Sequence, residues 1–134
     1  MKLIYRDYSR IYYREIGAAL PDKIAGKFVQ ILNDSAEEYL VFSPKEVSRY
    51  HADIVGRFCA ERGIPGVYDN THKRFDIHDP EWAVVGGGKF ATDGLKKQLR
   101  LYDDSMAYGK FNGEGLKEKI LSLSAFSGYN VRVE

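Results

Sequence analysis

The chain has 134 residues, one domain's worth, and its 44% hydrophobic and 29% charged residues are those of a globular protein. Its 20 basic and 19 acidic residues nearly cancel, which argues against a general nucleic-acid or membrane-surface binder, because such proteins concentrate positive charge. The lone cysteine, Cys59, excludes an intrachain disulfide and a cysteine-based zinc site, and fits a reducing, cytoplasmic setting.

The N-terminus turns charged at Lys2, Arg6 and Asp7 before any apolar signal core can form. Residues 1–26 show no clean period and stay open between helix and strand. Lys27–Leu32, rich in β-branched and aromatic residues, predicts a strand, and Asn33-Asp34-Ser35 supplies turn chemistry. Tyr39–Phe42 predicts an adjacent strand; it is far short of the ~18 apolar residues of a membrane helix. A helix is expected from about Pro44 to Arg62. Ser43 would cap it, Pro44 would take its first position, Glu46 stands three after the cap, and Gly63 with Pro65 closes it. Val47, Tyr50, Ile54, Phe58 and Cys59 would face the core.

Residues 64–80 read as a loop with a short strand at Val67-Tyr68. Trp82–Val85 predicts a buried strand running into a turn at Gly86-Gly87-Gly88, and Lys97–Tyr102 alternates like a strand with one wet face. Asp103-Asp104 and Ser105–Gly109 read as turns. Glu114–Leu123 predicts a second amphipathic helix ended by Gly128, and Tyr129–Val133 a last strand. No repeat or linker divides the chain, so residues 1–134 are expected to form a single α+β domain, a mixed sheet with helices packed on both faces.

Most phosphate and metal signatures fail. Gly86-Gly87-Gly88-Lys89 lacks the following Ser or Thr of a nucleotide loop, since Phe90 stands there, and Ala83 replaces its first glycine. Cys59 and Arg62 lie on a helix, not on the wrapped loop of a thiolate phosphatase. His72 and His78, with Asp76 and Asp79, fit a solvated loop better than a cation site.

His51 stands at the border of the apolar stripe. The simpler reading is a half-buried histidine bonded to a neighbour. Against it, an imidazole near neutrality suits phosphoryl chemistry, and two glycine-containing turns, Gly86–Gly88 and Ser105–Gly109, could aim backbone N–H groups at an anion.

Tyr50-His51-Ala52-Asp53-Ile54, then Gly86-Gly87-Gly88-Lys89, then Ser105-Met106-Ala107-Tyr108-Gly109 resemble, in order, three signatures of the small phosphohistidine phosphatases of the Janus/Ocnus family. The likeness runs from about Lys27 to the C-terminus. It implies His51 as catalytic base or nucleophile, with Lys27, Lys89, Ser105, Met106 and Ala107 binding the phosphate, and neither metal nor cofactor. The implied activity is hydrolysis of the P–N bond of phosphohistidine in a protein or peptide. A module that binds phosphohistidine without turnover, or a phosphatase for another N-phosphorylated group, would share the same anion cradle. Three features depart from the family pattern. Lys89 stands where arginine is usual, and Ser43 where members can carry an arginine that Arg49, about 200° round the predicted helix from His51, would not replace. Residues 64–80 also run longer than the family segment.

Overall fold

A computed structural model describes residues 1–134. Eight strands and three helices follow in the order β1 (Lys2–Asp7), α1 (Tyr8–Glu15), β2 (Lys23–Asn33), β3 (Glu37–Pro44), α2 (His51–Arg62), β4 (Gly66–Tyr68), β5 (Phe75–Ile77), β6 (Trp82–Asp93), β7 (Gln98–Tyr102), α3 (Leu116–Leu121) and β8 (Asn130–Val133). Six of the strands form one mixed sheet, β1-β3-β2-β6-β7-β8, while β4 and β5 pair as a separate hairpin. In the large sheet β1 is parallel to β3 and β8 to β7, and the other pairs are antiparallel. No helix is long and apolar enough to cross a membrane.

Strand β3 carries an unbroken apolar run, Tyr39–Phe42, and β2 a run broken only by Gln30, because both of their faces are covered. Phe28, Leu40 and Phe42 point to one side, where Leu116 and Ile120 of α3 close the first core. Val29, Ile31, Tyr39 and Val41 point to the other, against Ile54, Val55 and Phe58 of α2. The hairpin between the strands is fixed as the sequence suggests: the Asn33 carbonyl Oδ1 accepts from the N–H groups of Ser35 and Glu37. The first 26 residues resolve into β1, α1, whose first turn is capped by Asp7 Oδ1 accepting from Ser9 N–H at 2.8 Å, and the start of β2.

Four expectations are corrected. The helix does not begin at Pro44. Ser43 and Pro44 complete β3, paired with Lys27 and Gly26, and the Pro44 carbonyl closes one isolated turn with Val47 and Ser48. Tyr50 is extended (φ −126°, ψ 156°), and α2 starts afresh at His51. The ladder of β3 and a second cap, at Tyr50 with Asp53 reaching back to its N–H, outcompete the Ser43-Pro44 signal, so Val47 stays exposed. The glycine triplet is no turn but the middle of the continuous strand β6. Residues 64–80 hold two strands rather than one, and α3 is shorter than Glu114–Leu123, starting after Gly115 in a left-handed conformation (φ 69°).

Candidate functional site

The Tyr50–Asp53 segment builds the start of α2 and sets His51 at its first turn. The Asp53 carboxylate accepts from the Tyr50 N–H at 3.1 Å, and the Asp53 N–H donates to the Tyr50 carbonyl at 3.1 Å. The Tyr68 hydroxyl, from the hairpin, donates to the other Asp53 oxygen at 3.3 Å. Asp53 is therefore a positioning residue that fixes where the helix, and with it the imidazole, begins.

His51 Nε2 lies 2.9 Å from the Gly88 carbonyl oxygen. A carbonyl only accepts, so Nε2 carries the hydrogen and, in the neutral ring, Nδ1 keeps its lone pair. Nδ1 has no protein partner, yet it is not sealed off: the one buried side-chain oxygen or nitrogen without a partner is Ser9 Oγ. His51 is 8% exposed, and burial lowers its pKa from the ordinary 6.5, with the nearby Lys27 charge pushing the same way. The Gly88 carbonyl, Asp103 and Asp104 oppose that shift. At neutral pH the imidazole is uncharged and its free nitrogen is a base.

The ring rests on β6 because Gly87 has no side chain. A Cβ there would stand 2.9 Å from His51 Cδ2, 2.7 Å from the Phe28 carbonyl oxygen and 3.3 Å from Ser105 Cβ. Its neighbours accept other close approaches: a Cβ on Gly86 would stand 2.4 Å from the Lys110 carbonyl oxygen, and one on Gly88 2.5 Å from the Tyr102 carbonyl oxygen. The triplet makes room for the imidazole and two crossing segments; it does not wrap an anion.

Lys27 of β2 and Lys89 of β6 are directly opposite across the antiparallel ladder, and Ser43 flanks Lys27 on β3. Directly opposed like charges destabilise a strand pair, so this juxtaposition favours an anion between them. Lys89 is partly neutralised by Asp103 Oδ2 at 3.1 Å, whereas Lys27 makes no ion pair. Ser43 is buried and hydrogen-bonded to Ser48 at 2.6 Å.

The loop Ser105–Gly109 is closed on itself, with Ser105 N–H donating to the Gly109 carbonyl (3.1 Å) and Gly109 N–H to the Ser105 carbonyl (2.7 Å). The Gly87 N–H also donates to the Gly109 carbonyl at 3.1 Å, tying the loop to the sheet beside His51. Ser105 Oγ accepts from Tyr108 N–H, which leaves its hydroxyl hydrogen to donate. The backbone N–H groups of Met106 and Ala107 have no partner in the protein. The Ser105 side chain is buried, and that of Met106 stands fully in solvent, so Met106 contributes backbone only.

These groups line one cleft of about 760 Å³, together with Tyr50, Asp69, Lys73, Arg74, Asp103 and Asp104. All six residues expected at the site, His51, Lys27, Lys89, Ser105, Met106 and Ala107, meet there. The segment 64–80, expected to be a loop with one short strand at Val67-Tyr68, folds as the β4–β5 hairpin, whose turn forms the far wall. Arg74 donates from Nε to Asp76 at 2.7 Å and from Nη1 to the Ala107 carbonyl, and packs over the Tyr108 ring. The Tyr108 hydroxyl accepts from Phe75 N–H (2.8 Å) and donates to the Phe75 carbonyl (2.7 Å), clasping hairpin to loop. Its pKa is pushed up to about 12, chiefly by burial. Arg49 lies over Tyr50 and outside the cleft, and the one guanidinium lining the cleft is that of Arg74. Asp103, read only as a turn residue, is also the partner of Lys89.

Elsewhere the expected bystanders are bystanders. Cys59 is buried, its thiol pushed up to about 11 by burial. His72 stacks on Tyr68 at 4.2 Å, and no three His, Cys, Asp or Glu side chains converge as metal donors would. The family model described as Janus/Ocnus family (Ocnus) matches residues 27–130. No curated protein matches the chain.

Proposed function

The chain belongs to the Janus/Ocnus family, and from that premise we propose that it is a phosphatase cleaving the P–N bond of phosphohistidine in a protein or peptide. The observation that carries this reading is the uncharged His51 with Nδ1 free, beside two opposed lysines in one cleft. A phosphoryl group there would put its equatorial oxygens among Lys27, Lys89, the Ser105 hydroxyl and the N–H groups of Met106 and Ala107. Charge stabilisation of this kind supplies most of the catalysis of phosphoryl transfer. Nδ1 then acts in one of two balanced ways. It takes a proton from water as the oxygen adds to phosphorus and the P–N bond breaks, or it bonds to phosphorus itself and is freed by water in a second step. In the first route Nδ1 passes the proton it took from water to the departing imidazole; in the second the departing imidazole takes its proton from solvent before water frees Nδ1; inorganic phosphate is the product of both.

The substrate is a macromolecule or peptide rather than nucleic acid or membrane, in keeping with the near-zero net charge, and the reducing cytoplasm is the compartment this reading assigns. Phosphorus NMR of a phosphohistidine peptide with purified protein and excess EDTA tests it. Release of inorganic phosphate in the chelator is the expected result. Turnover that disappears with EDTA and returns with magnesium or zinc would overturn the mechanism, and binding without turnover would leave a phosphohistidine-reading module.

A further inference from the structure

The face of the sheet that carries Lys27 and Lys89 continues beyond the cleft, and α2 does not cover it. Successive rows on that face follow from the register. Lys27 is opposite Lys89; two residues along, Ala25, Ala91, Arg100 and Arg132 align; two further along, Lys23, Asp93, Gln98 and Asn130. The other face of these strands is buried through Ile24, Phe90, Leu99 and Val131. Small Ala25 and Ala91 make the floor of a groove of about 660 Å³, rimmed by Lys23, Lys45, Lys96, Arg100 and Arg132 against only Glu46 and Asp93. Glu134 pairs with Arg100 (2.9 Å) and Arg132 (3.2 Å), while Lys23, Lys45 and Lys96 make no ion pair. A bare trough with unpaired cations in a chain of formal charge +1 is a local concentration of positive charge, not a reflection of composition.

We propose that this groove docks an acidic, extended segment of the protein whose phosphorylated residue enters the cleft. The proposal rests on the phosphatase reading for what lies in the cleft, but not for the binding itself. Charge complementarity selects the occupant, and continuity with Lys27 sets its distance. From Lys27 to Lys23 is four residues of strand, about 13 Å, so the groove holds about four residues of extended peptide. Carboxylates are therefore expected within about six positions of the phosphorylated residue, on one side of it. Exposed backbone along the β8 edge and long lysine side chains let sequences vary as long as charge is kept.

The test uses two phosphohistidine peptides, one with four glutamates on one flank and one with four glutamines, each made in both orientations. Alongside runs the unphosphorylated glutamate peptide, for binding by fluorescence anisotropy. The protein is wild type and the triple variant Lys23→Ala, Lys45→Ala, Lys96→Ala, whose exposed side chains lie outside the cleft. For the wild type, KM for one glutamate orientation should be roughly tenfold below that of its glutamine counterpart, and added salt should erase the gap. The triple variant should lose that advantage and the anisotropy signal, and keep wild-type turnover of the glutamine peptide. Equal KM for both flanks with no binding of the glutamate peptide would overturn the docking proposal and leave the phosphatase reading standing. Should no phosphohistidine peptide be turned over, the phosphatase reading fails, and lysine-dependent binding of the glutamate peptide still supports the groove. An oligonucleotide of equal charge binding as tightly as the peptide would overturn the commitment to an acidic protein segment.

Discussion

At His51 a single hydrogen bond decides the chemistry, because the Gly88 carbonyl takes the Nε2 proton and leaves Nδ1 as the only basic nitrogen. Its protonation should then limit activity at low pH. Burial holds the pKa below 6.5, so the acid limb of kcat/KM should have its midpoint below 6.5. The same shift bears on stability with a definite sign. The fold prefers the neutral ring, so the stabilisation is present above 6.5 and is lost as pH falls through the lowered pKa. Replacing His51 by Asn should flatten the slope of stability against pH in that window, as read from urea titrations at several pH values; an unchanged slope would place the shift elsewhere. The two lysines differ in the same concrete way. Lys27 has no ion-pair partner and Lys89 has Asp103. Lys27→Ala should lower kcat/KM at least about tenfold, the scale of a charge-assisted hydrogen bond, while Lys89→Arg should match or exceed wild type. A kinetically silent Lys27→Ala would remove β2 from the site.

At the scale of elements, the hairpin β4–β5 and the Ser105–Gly109 loop are one unit through Tyr108. Tyr108→Phe leaves the Phe75 N–H and carbonyl without their partner and should cost about 1–2 kcal/mol in urea unfolding. Because the loop carries the Ser105, Met106 and Ala107 donors proposed to hold the equatorial oxygens, kcat/KM should fall as well; an unchanged kcat/KM would take the loop out of the site. The signals that were legible and those that were not separate here. Strands β2 and β3 were readable because burial on both faces demands apolar runs from Phe28 to Leu32 and from Tyr39 to Phe42. The start of α2 was not, because Ser43-Pro44 offers a local cap and only the long-range ladder from Ser43 to Lys27 overrules it. The true N-cap is Tyr50, its N–H taken by the Asp53 carboxylate three residues on, but an aromatic residue is a weak sequence signal for a helix start. Of the hairpin only β4, at Val67-Tyr68, was legible; β5 is three residues long, and the hold on the cleft runs through Tyr108, far away in sequence.

For the whole molecule, the sheet does two tasks with its two faces. One face is filled by Phe28, Phe42, Phe90 and α3, with Phe42 stacked on Phe90 at 4.4 Å, and gives rigidity. The other holds α2 and His51 over one part and leaves a charged trough over the rest. The six residues proposed for the site came through the family resemblance, whereas Gly86–Gly88 reads as a turn because spacing alone does not distinguish glycine that bends a chain from glycine that lets another group approach. His51 sits at the meeting of these parts, so its removal separates catalysis from architecture. The decisive measurement takes melting temperature, phosphate affinity and phosphohistidine turnover on one preparation of His51→Ala. The account predicts cooperative melting, retained phosphate binding through Lys27, Lys89 and the Ser105–Gly109 loop, and turnover reduced at least about 10²-fold. A His51→Ala protein that melts lower but turns substrate over at the wild-type rate per folded molecule would contradict it.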